Sequence, residues 1–300
     1  MWFKNLKIYR LNPNWHITAE ALSEALQPHA FNPGNPGRDT QFGWVPVMAD
    51  ADLVYGLQNV LFLSLKAEKK LLPASVINQF AREKAKEVEE QQGYRPGRKQ
   101  LKEIKELVTD TLLPKAFSIY RETRLYLDLE HHYLVIDAAS PTKADEVISQ
   151  LVKVLNPMPI QSYMTAISPS TAMTEWLYTD QAPAGFSIDP HTEFKSTQQE
   201  RATIRFANIT PEQSEVAKHV ESGKICSKLG LTWQDRVSFV LDDTLTLKKI
   251  TPLELLSEEK ELGSFDETEQ FDADMTLMSR TLAQLLQDLT EALGGLKPVN

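Results

Sequence analysis

Thiol chemistry is almost missing from this 300-residue chain. Cys226 is its only cysteine, which excludes an internal disulfide and argues against a zinc site held by thiolates. Long apolar runs are missing too. The longest, "NVLFLSL", falls short of the roughly 18 to 20 residues that a spanning helix needs, and it suits a strand. The opening "MWFKNLKIYRL" lacks the basic, then apolar, then small-residue order of a secretory signal, so a reducing cytoplasm is the expected compartment. No GxxxxGK[ST] loop or GxSxG elbow occurs, and "NPGNPG" has no strand–loop–helix setting for a dinucleotide. Positive charge is in deficit: 32 Lys and Arg face 41 Asp and Glu, for a net charge of −9. That excludes a uniformly basic nucleic-acid binder.

The cations that are present are unevenly spread. Residues 66–124 carry fourteen Lys and Arg against nine acids, and residues 201–250 carry eight against six. The segments that follow them are acidic, with ten acids against three cations over 125–200 and eleven against three over 251–300. Two basic segments separated by acidic ones can still serve a polyanion if their side chains converge on one surface; otherwise they are solvated helix faces. The densest stretch is "GYRPGRKQLKEIK" (93–105), where five cations crowd around a Pro-Gly turn.

Periodicity gives the elements. Strands are expected at 3–11, on either side of Gln58-Asn59, around a turn near Glu130, at 200–209, and three times between 226 and 252. Residues 18–29 read as a helix capped by Thr18, and 142–155 as one with Val147, Leu151 and Leu155 inward. Residues 211–222 read as a helix with Thr210 as cap, Pro211 at its first position and Gly223 at its end. A short helix is expected at 171–179 and a long one at 271–293 closed by Gly294-Gly295. The segment 74–113 reads as a helical hairpin. Val76, Ile77 and Phe80 form a stripe on its first helix, and Leu101, Ile104, Leu107 and Val108 one on its second. Stripes so narrow predict a hairpin that projects from the body. The fold class is therefore α+β: antiparallel sheets with packed helices, the hairpin, and a helical C-terminus. Expected divisions are a central body (1–72 plus 114–165), the hairpin (73–113) and a C-terminal α+β region (166–300). "RLYLDLEHHYLVIDAAS" and "RVSFVLDDTLTLKKIT" are similar hairpins that each feed a helix, which suggests an internal duplication.

Candidates for catalysis are sparse. His131 and His132 are adjacent at a hairpin turn, a poor geometry for a metal. Asp242-Asp243 sits at another turn. Asp272 and Asp274 fall where the last helix is expected to begin, and there carboxylates complement its dipole. These four aspartates are the candidate set for a magnesium-dependent nuclease, but nothing completes a recognisable constellation. Cys226 reads as a small strand residue. What remains is basic: Lys66, Lys69 and Lys70; Arg95, Arg98, Lys99, Lys102 and Lys105; Lys115, Arg121 and Arg124; Arg205, Lys224, Lys228 and Arg236. Phe117, in "LLPKAFSIY", is either a core residue or an aromatic anchor at a subunit contact.

Several longer stretches resemble one known family. "WFKNLKIYRL", "FGWVP", "KLLPASVI", "GYRPGRKQLKEIKE", "LLPKAFS", "TEWL", "SGK" followed by "SKLGLTWQDRVSFVLDD", and "FDADMTLM" stand in the order seen in the recombination-associated RdgC family, from about residue 1 to 295. The resemblance implies a ring-shaped homodimer closed at two interfaces around a basic hole, with the hairpin as its tip and the C-terminal region as its base. It implies sequence-independent binding of double-stranded DNA, single-stranded DNA as a lesser ligand, nucleoid association, antagonism of RecA, and no catalysis, cofactor, metal or membrane. Carried onto this chain, it matches Phe117 to a ring-closing contact, Lys115 and Lys224 to phosphate contacts, and Lys66 and Lys70 at the level of charge. Arg205 survives in "TIR", and with Arg121 and Lys228 from the basic segments these cations are the expected DNA contacts. The expected dimer contacts are Phe117 with Tyr94, Arg95, Arg98 and Lys99 at the hairpin turn, where contact of Arg95, Arg98 and Lys99 with DNA at the rim is the alternative. After "TIR" the family often continues with basic residues, whereas this chain has Phe206, Ala207 and Asn208. The readings from other classes are the nuclease and a protein–protein adaptor docking through the charged hairpin.

Overall fold

Residues two apart on a strand share a face, and here that alternation assigns each helix to one side of a single sheet path. The computed structural model describes residues 2–33, 39–196, 202–254 and 266–298. Its first half runs β1 (Asn5–Leu11), α1 (Ala19–Leu26), β2 (Thr40–Val45), β3 (Val54–Leu57), β4 (Val60–Lys70), α2 (Ala74–Gln92), α3 (Arg98–Leu112), β5 (Ser118–Asp128), β6 (Tyr133–Ile136) and α4 (Pro141–Leu151). Its second half runs β7 (Ile160–Ser162), α5 (Pro169–Thr179), β8 (Phe186–Ser196), β9 (Thr203–Ala207), α6 (Gln213–Glu221), β10 (Lys224–Trp233), β11 (Val237–Asp242), β12 (Leu247–Pro252) and α7 (Glu267–Ala292).

The twelve strands follow the order β2-β4-β5-β6-β1-β12-β11-β10-β8-β9, with β3 added to β4 and β7 to β1. All the pairings are antiparallel, as the α+β expectation requires. β1 is the hinge of the order. One of its edges pairs with β6 through Lys7–Arg10; the other pairs with β12 at Asn5 and Leu6 and with β7 at Tyr9–Leu11. Outward from β1 the same succession is met twice: β6-β5-β4-β2 on one side and β12-β11-β10-β8 on the other. The two hairpins singled out in the sequence, β5-β6 and β11-β12, hold matching places in it.

Two apolar clusters fill the two sides. Leu61, Leu63 and Leu65 of β4 and Leu125 and Leu127 of β5 pack under Leu22 and Leu26 of α1 and Val147 and Leu151 of α4. The intervening Phe62 and Tyr126 face the other way. They join Leu229, Leu231 and Trp233 of β10, Met173 and Trp176 of α5, and the buried stripe of α7 from Met275 to Leu289. Each fully buried Leu of this kind contributes about 1.5–3 kcal/mol. The hairpin α2–α3 has only a small cluster of its own, Ala81, Ile104 and Val108.

Capping chemistry moves some element boundaries. Thr18 caps α1, its hydroxyl accepting from Ala21 N at 3.2 Å. Helix α6 begins later than expected. Glu212 is its N-cap in a reciprocal capping box with Glu215, so Thr210 and Pro211 lie outside it; Gly223 closes the turn at φ 76°. Asp266 and Glu269 form the same box for α7, which therefore starts a turn before the expected residue. Asp272 and Asp274 are thus not at the helix end. Asp272 instead accepts a 2.6 Å bond from the Tyr55 hydroxyl and ties α7 to β3. On the hairpin Val76, Ile77 and Phe80 do not form one buried stripe: Phe80 and Leu107 point outward, while Ala81 takes the inner position. Part of the Gly/Pro-rich loop around residues 34–38 and the start of the strand expected at 200–209 lie outside the described residues.

Candidate nucleic-acid interface

Because α5, α6 and α7 cover the Leu229–Trp233 face of β10, the alternate residues Lys228, Gly230 and Thr232 occupy the opposite face. Gly230 keeps that face low: a Cβ there would stand 3.1 Å from the Cβ atoms of both Asp189 and His191 on β8. Glu193 of β8, only 2% exposed, is the centre of this surface. Its Oε2 accepts from Arg205 Nη2 at 2.7 Å, Arg205 Nε at 3.1 Å and Lys228 Nζ at 2.9 Å. Its Oε1 accepts from the Ser227 hydroxyl at 3.1 Å. Burial pushes the Glu193 carboxyl upward, but these donors and the Lys228 charge outweigh it and hold the pKa at about 2. Register creates the contact, since Glu193 pairs directly with Arg205 on β9 and with Lys228 on β10.

The same surface continues to β12 and β1. Lys248 meets Asp242 at 2.7 Å, and Lys195 meets Asp243 at 3.3 Å. Lys7 donates to the Thr244 carbonyl at 3.0 Å. Its pKa is lowered by burial, and then by Lys248, against the attraction of Asp242. His191 is likewise lowered, first by burial and then by Lys249, Arg205 and Lys228, so the local field is cationic in spite of Glu193. Further along the same side of the sheet, Arg121 of β5 meets Glu146 of α4.

The second basic group lies where the hairpin leaves the sheet. Lys66 and Lys70 share the side of β4 that carries Phe62. Lys66 Nζ is 3.2 Å from Glu122 and lies over the rings of Phe31 and Tyr120 at 5.6 and 5.5 Å. Lys70 is 3.6 Å from Glu68, a buried carboxylate that also accepts from Gln41 on β2 and from Ser118 and Tyr120 on β5. Just beyond, the Leu71 amide donates to the Phe117 carbonyl at 2.7 Å. This clamp fixes the backbone that presents Phe117, whose side chain is 84% exposed; the core alternative for that residue is thereby overturned. Lys115 stands two residues away. Between α2 and α3 runs an apolar groove of about 340 Å³, lined by Phe80, Leu107, Val108 and Leu112 and edged by the Lys84–Glu87 pair.

The expected DNA contacts therefore fall into two states. Lys66, Lys70, Arg121, Arg205 and Lys228 are each in an ion pair. Among the described residues Lys115 and Lys224 meet no carboxylate; Lys224 Nζ donates only to the Ser222 hydroxyl at 2.6 Å. At the hairpin turn Tyr94, Arg98 and Lys99 are exposed, and Arg95 pairs with Glu89 of its own hairpin at 3.3 Å. The carboxylates that neutralise these cations, Glu68, Glu122, Glu146 and Glu193, left no mark in the sequence. Only strand register and helix docking bring them into range.

The residues considered for catalysis are otherwise engaged. Asp242 accepts from Thr244 and Thr246 as well as from Lys248, and Asp272 is bound to Tyr55. His131 bonds Asp128 at 2.8 Å and stacks on Tyr133, while His132 sits in the turn at φ 59°. Among the described residues no three His, Cys, Asp or Glu side chains gather as a metal site. Cys226 is buried, donates to the Lys228 carbonyl, and has its pKa pushed up to about 12 by burial. Among the described residues no helix is long and apolar enough to cross a membrane.

Comparison with known proteins bears on the whole chain. Residues 1–296 match a family model described as "Putative exonuclease, RdgC". The chain is 49% identical over 299 residues to the recombination-associated protein RdgC of Bordetella pertussis, covering 100% of both chains. It is 48% identical to the RdgC protein of a Janthinobacterium species, with 98% of each covered. The corresponding protein of Burkholderia ambifaria is 46% identical over 98% of this chain and 96% of its own.

Proposed function

The chain belongs to the RdgC family of recombination-associated proteins, and on that footing we propose that it is a sequence-independent DNA-binding protein. It acts as a ring-closed homodimer around duplex DNA, on the nucleoid, and restrains recombination by limiting access of RecA. The observation that carries this reading is the gathering of cations from distant parts of the chain onto two areas of one sheet. The areas lie on opposite faces, Lys66 and Lys70 on β4 and Lys228 and Arg205 on β10 and β9. Sheet twist reconciles them. At about 20° per strand, the six steps from β4 to β10 accumulate about 120° and bring the directions of the two areas to within about 60° of each other. On this reading affinity rests on phosphate contacts and not on base edges.

Closure uses Phe117. A bare aromatic ring stands at the base of the hairpin and an apolar groove runs along it, which suits a twofold contact in which each copy's Phe117 enters the groove of the other. The exposed Tyr94, Arg98 and Lys99 extend that contact at the tip.

The test is retention of unrelated duplexes over a salt series, with and without magnesium. Binding that ignores sequence and falls steeply with salt, leaving the DNA intact, is the expected result. The family description supplies the second reading, an exonuclease. Magnesium-dependent loss of DNA ends that disappears in Asp243→Ala would establish that reading and sink the purely binding one.

A further inference from the structure

The cations expected to meet phosphate already hold anions, and those anions belong to the protein. Around Glu193, two guanidinium nitrogens, an ammonium and a hydroxyl converge on one carboxylate at 2.7 to 3.1 Å. That donor set is one that would serve a phosphate group equally well. On the other basic area Lys66 repeats the pattern with Glu122 at 3.2 Å, and both side chains are partly exposed.

We propose that Glu193, seconded by Glu122, occupies phosphate positions on the DNA-facing surface and so keeps the affinity for nucleic acid low. This rests on the DNA-binding reading above. The physical argument is competitive. Glu193 is itself buried and cannot follow its partners outward, whereas the Arg205 side chain is 59% exposed and can swing. Moving Arg205 to a phosphate strips a buried carboxylate of two of its donors. That loss offsets most of the new contact. A protein built this way releases DNA readily and can move along it, because each phosphate contact replaces an existing one instead of adding to it. The charge excess of the chain has the same sense: carboxylates stand opposite the cations on this surface, and Lys248 and Lys195 are matched by Asp242 and Asp243.

Glu193→Gln keeps the shape and the Ser227 bond but removes the charge. On the full-length protein and a duplex of arbitrary sequence, affinity should rise about tenfold at moderate salt. The slope of log affinity against log salt should steepen by up to about 1.8, corresponding to two further phosphate contacts. Glu122→Gln, on the partly exposed Lys66 pair, makes the same test where no core is at stake, and should raise affinity with a slope change of about 0.9. If both variants fold, dimerise like the parent and bind DNA with unchanged or lower affinity and slope, the carboxylates are structural and the inference is overturned. If Glu193→Gln does not fold, Glu122→Gln decides alone. Should the parent itself show no salt-dependent retention of any duplex, the DNA-binding reading fails with it. A binding parent with inert variants overturns only the masking.

Discussion

Lys115 and Lys224 differ from the other five expected DNA contacts in one respect: among the described residues, each presents a charge that no carboxylate has taken. Ammonium groups with no carboxylate partner keep their counterions in solution and release them on meeting a phosphate, so these two should dominate the measured salt dependence. Lys115→Ala and Lys224→Ala are each expected to lower the slope by about 0.9 and to weaken every sequence alike. Lys66→Ala should do less, since Lys66 must leave Glu122 to reach DNA. Filter binding across 50 to 300 mM salt would check the order, and a larger effect for Lys66 would refute it. The sequence shows that all three are lysines; the distinction between them depends on Glu122, fifty-six positions away and opposite Lys66 in the β4–β5 ladder.

Among the elements, the α2–α3 hairpin is the one whose stability is most separate. Its apolar cluster is small, its later turns are charged, and Arg95–Glu89 and Lys102–Glu106 are exposed pairs worth a few tenths of a kcal/mol at most. Ile104→Ala removes one of its three buried side chains, a loss of about 2–4 kcal/mol at that position. Hydrogen exchange should then show the amides of 74–112 opening while those of β4 and β5 stay protected. Equal loss of protection in the sheet would mean that the hairpin and body unfold as one. Existence and approximate extent of this hairpin were readable from two helical stripes around a Pro-Gly turn. Which apolar residues faced inward was not: Phe80 and Leu107 fit the helical period as well as Ala81 and Ile104 do, and only docking of one helix on the other separates them. Helix starts were misread for a related reason. The Glu212–Glu215 and Asp266–Glu269 boxes satisfy backbone amides reciprocally, and that outweighs the single favourable cap or proline used to place the boundaries.

At the scale of the whole molecule the sheet order explains how an acidic chain holds basic surfaces. The two halves repeat a succession of strands about β1, and the cations stand where strand ends and the Glu193 face are not covered by the apolar clusters. The proposed dimer then depends on few contacts. Phe117→Ala deletes an exposed ring that contributes nothing to the monomer's core, so the melting temperature of the isolated chain should hardly change. Dimer dissociation should rise by tenfold or more, the scale of an aromatic hot spot. Sedimentation at several concentrations, beside a melting curve, would check both parts. A parent dimer and a variant dimer of equal stability would remove Phe117 from the interface.

The sequence by itself determined the α+β class, most strands and helices, and membership of a family, because these rest on local periodicity, turn chemistry and long runs of matching residues. It also determined that cations cluster in two segments. Tertiary structure alone decided what those cations can do. Strand register set Glu193 beside Arg205 and Lys228, helix docking set Glu146 beside Arg121, and Lys115 was left bare next to an exposed Phe117. Charge is a property of a residue, but its availability is set by distance to the nearest opposite charge, and for these residues that distance is fixed by pairings made across 12 to 56 positions of chain.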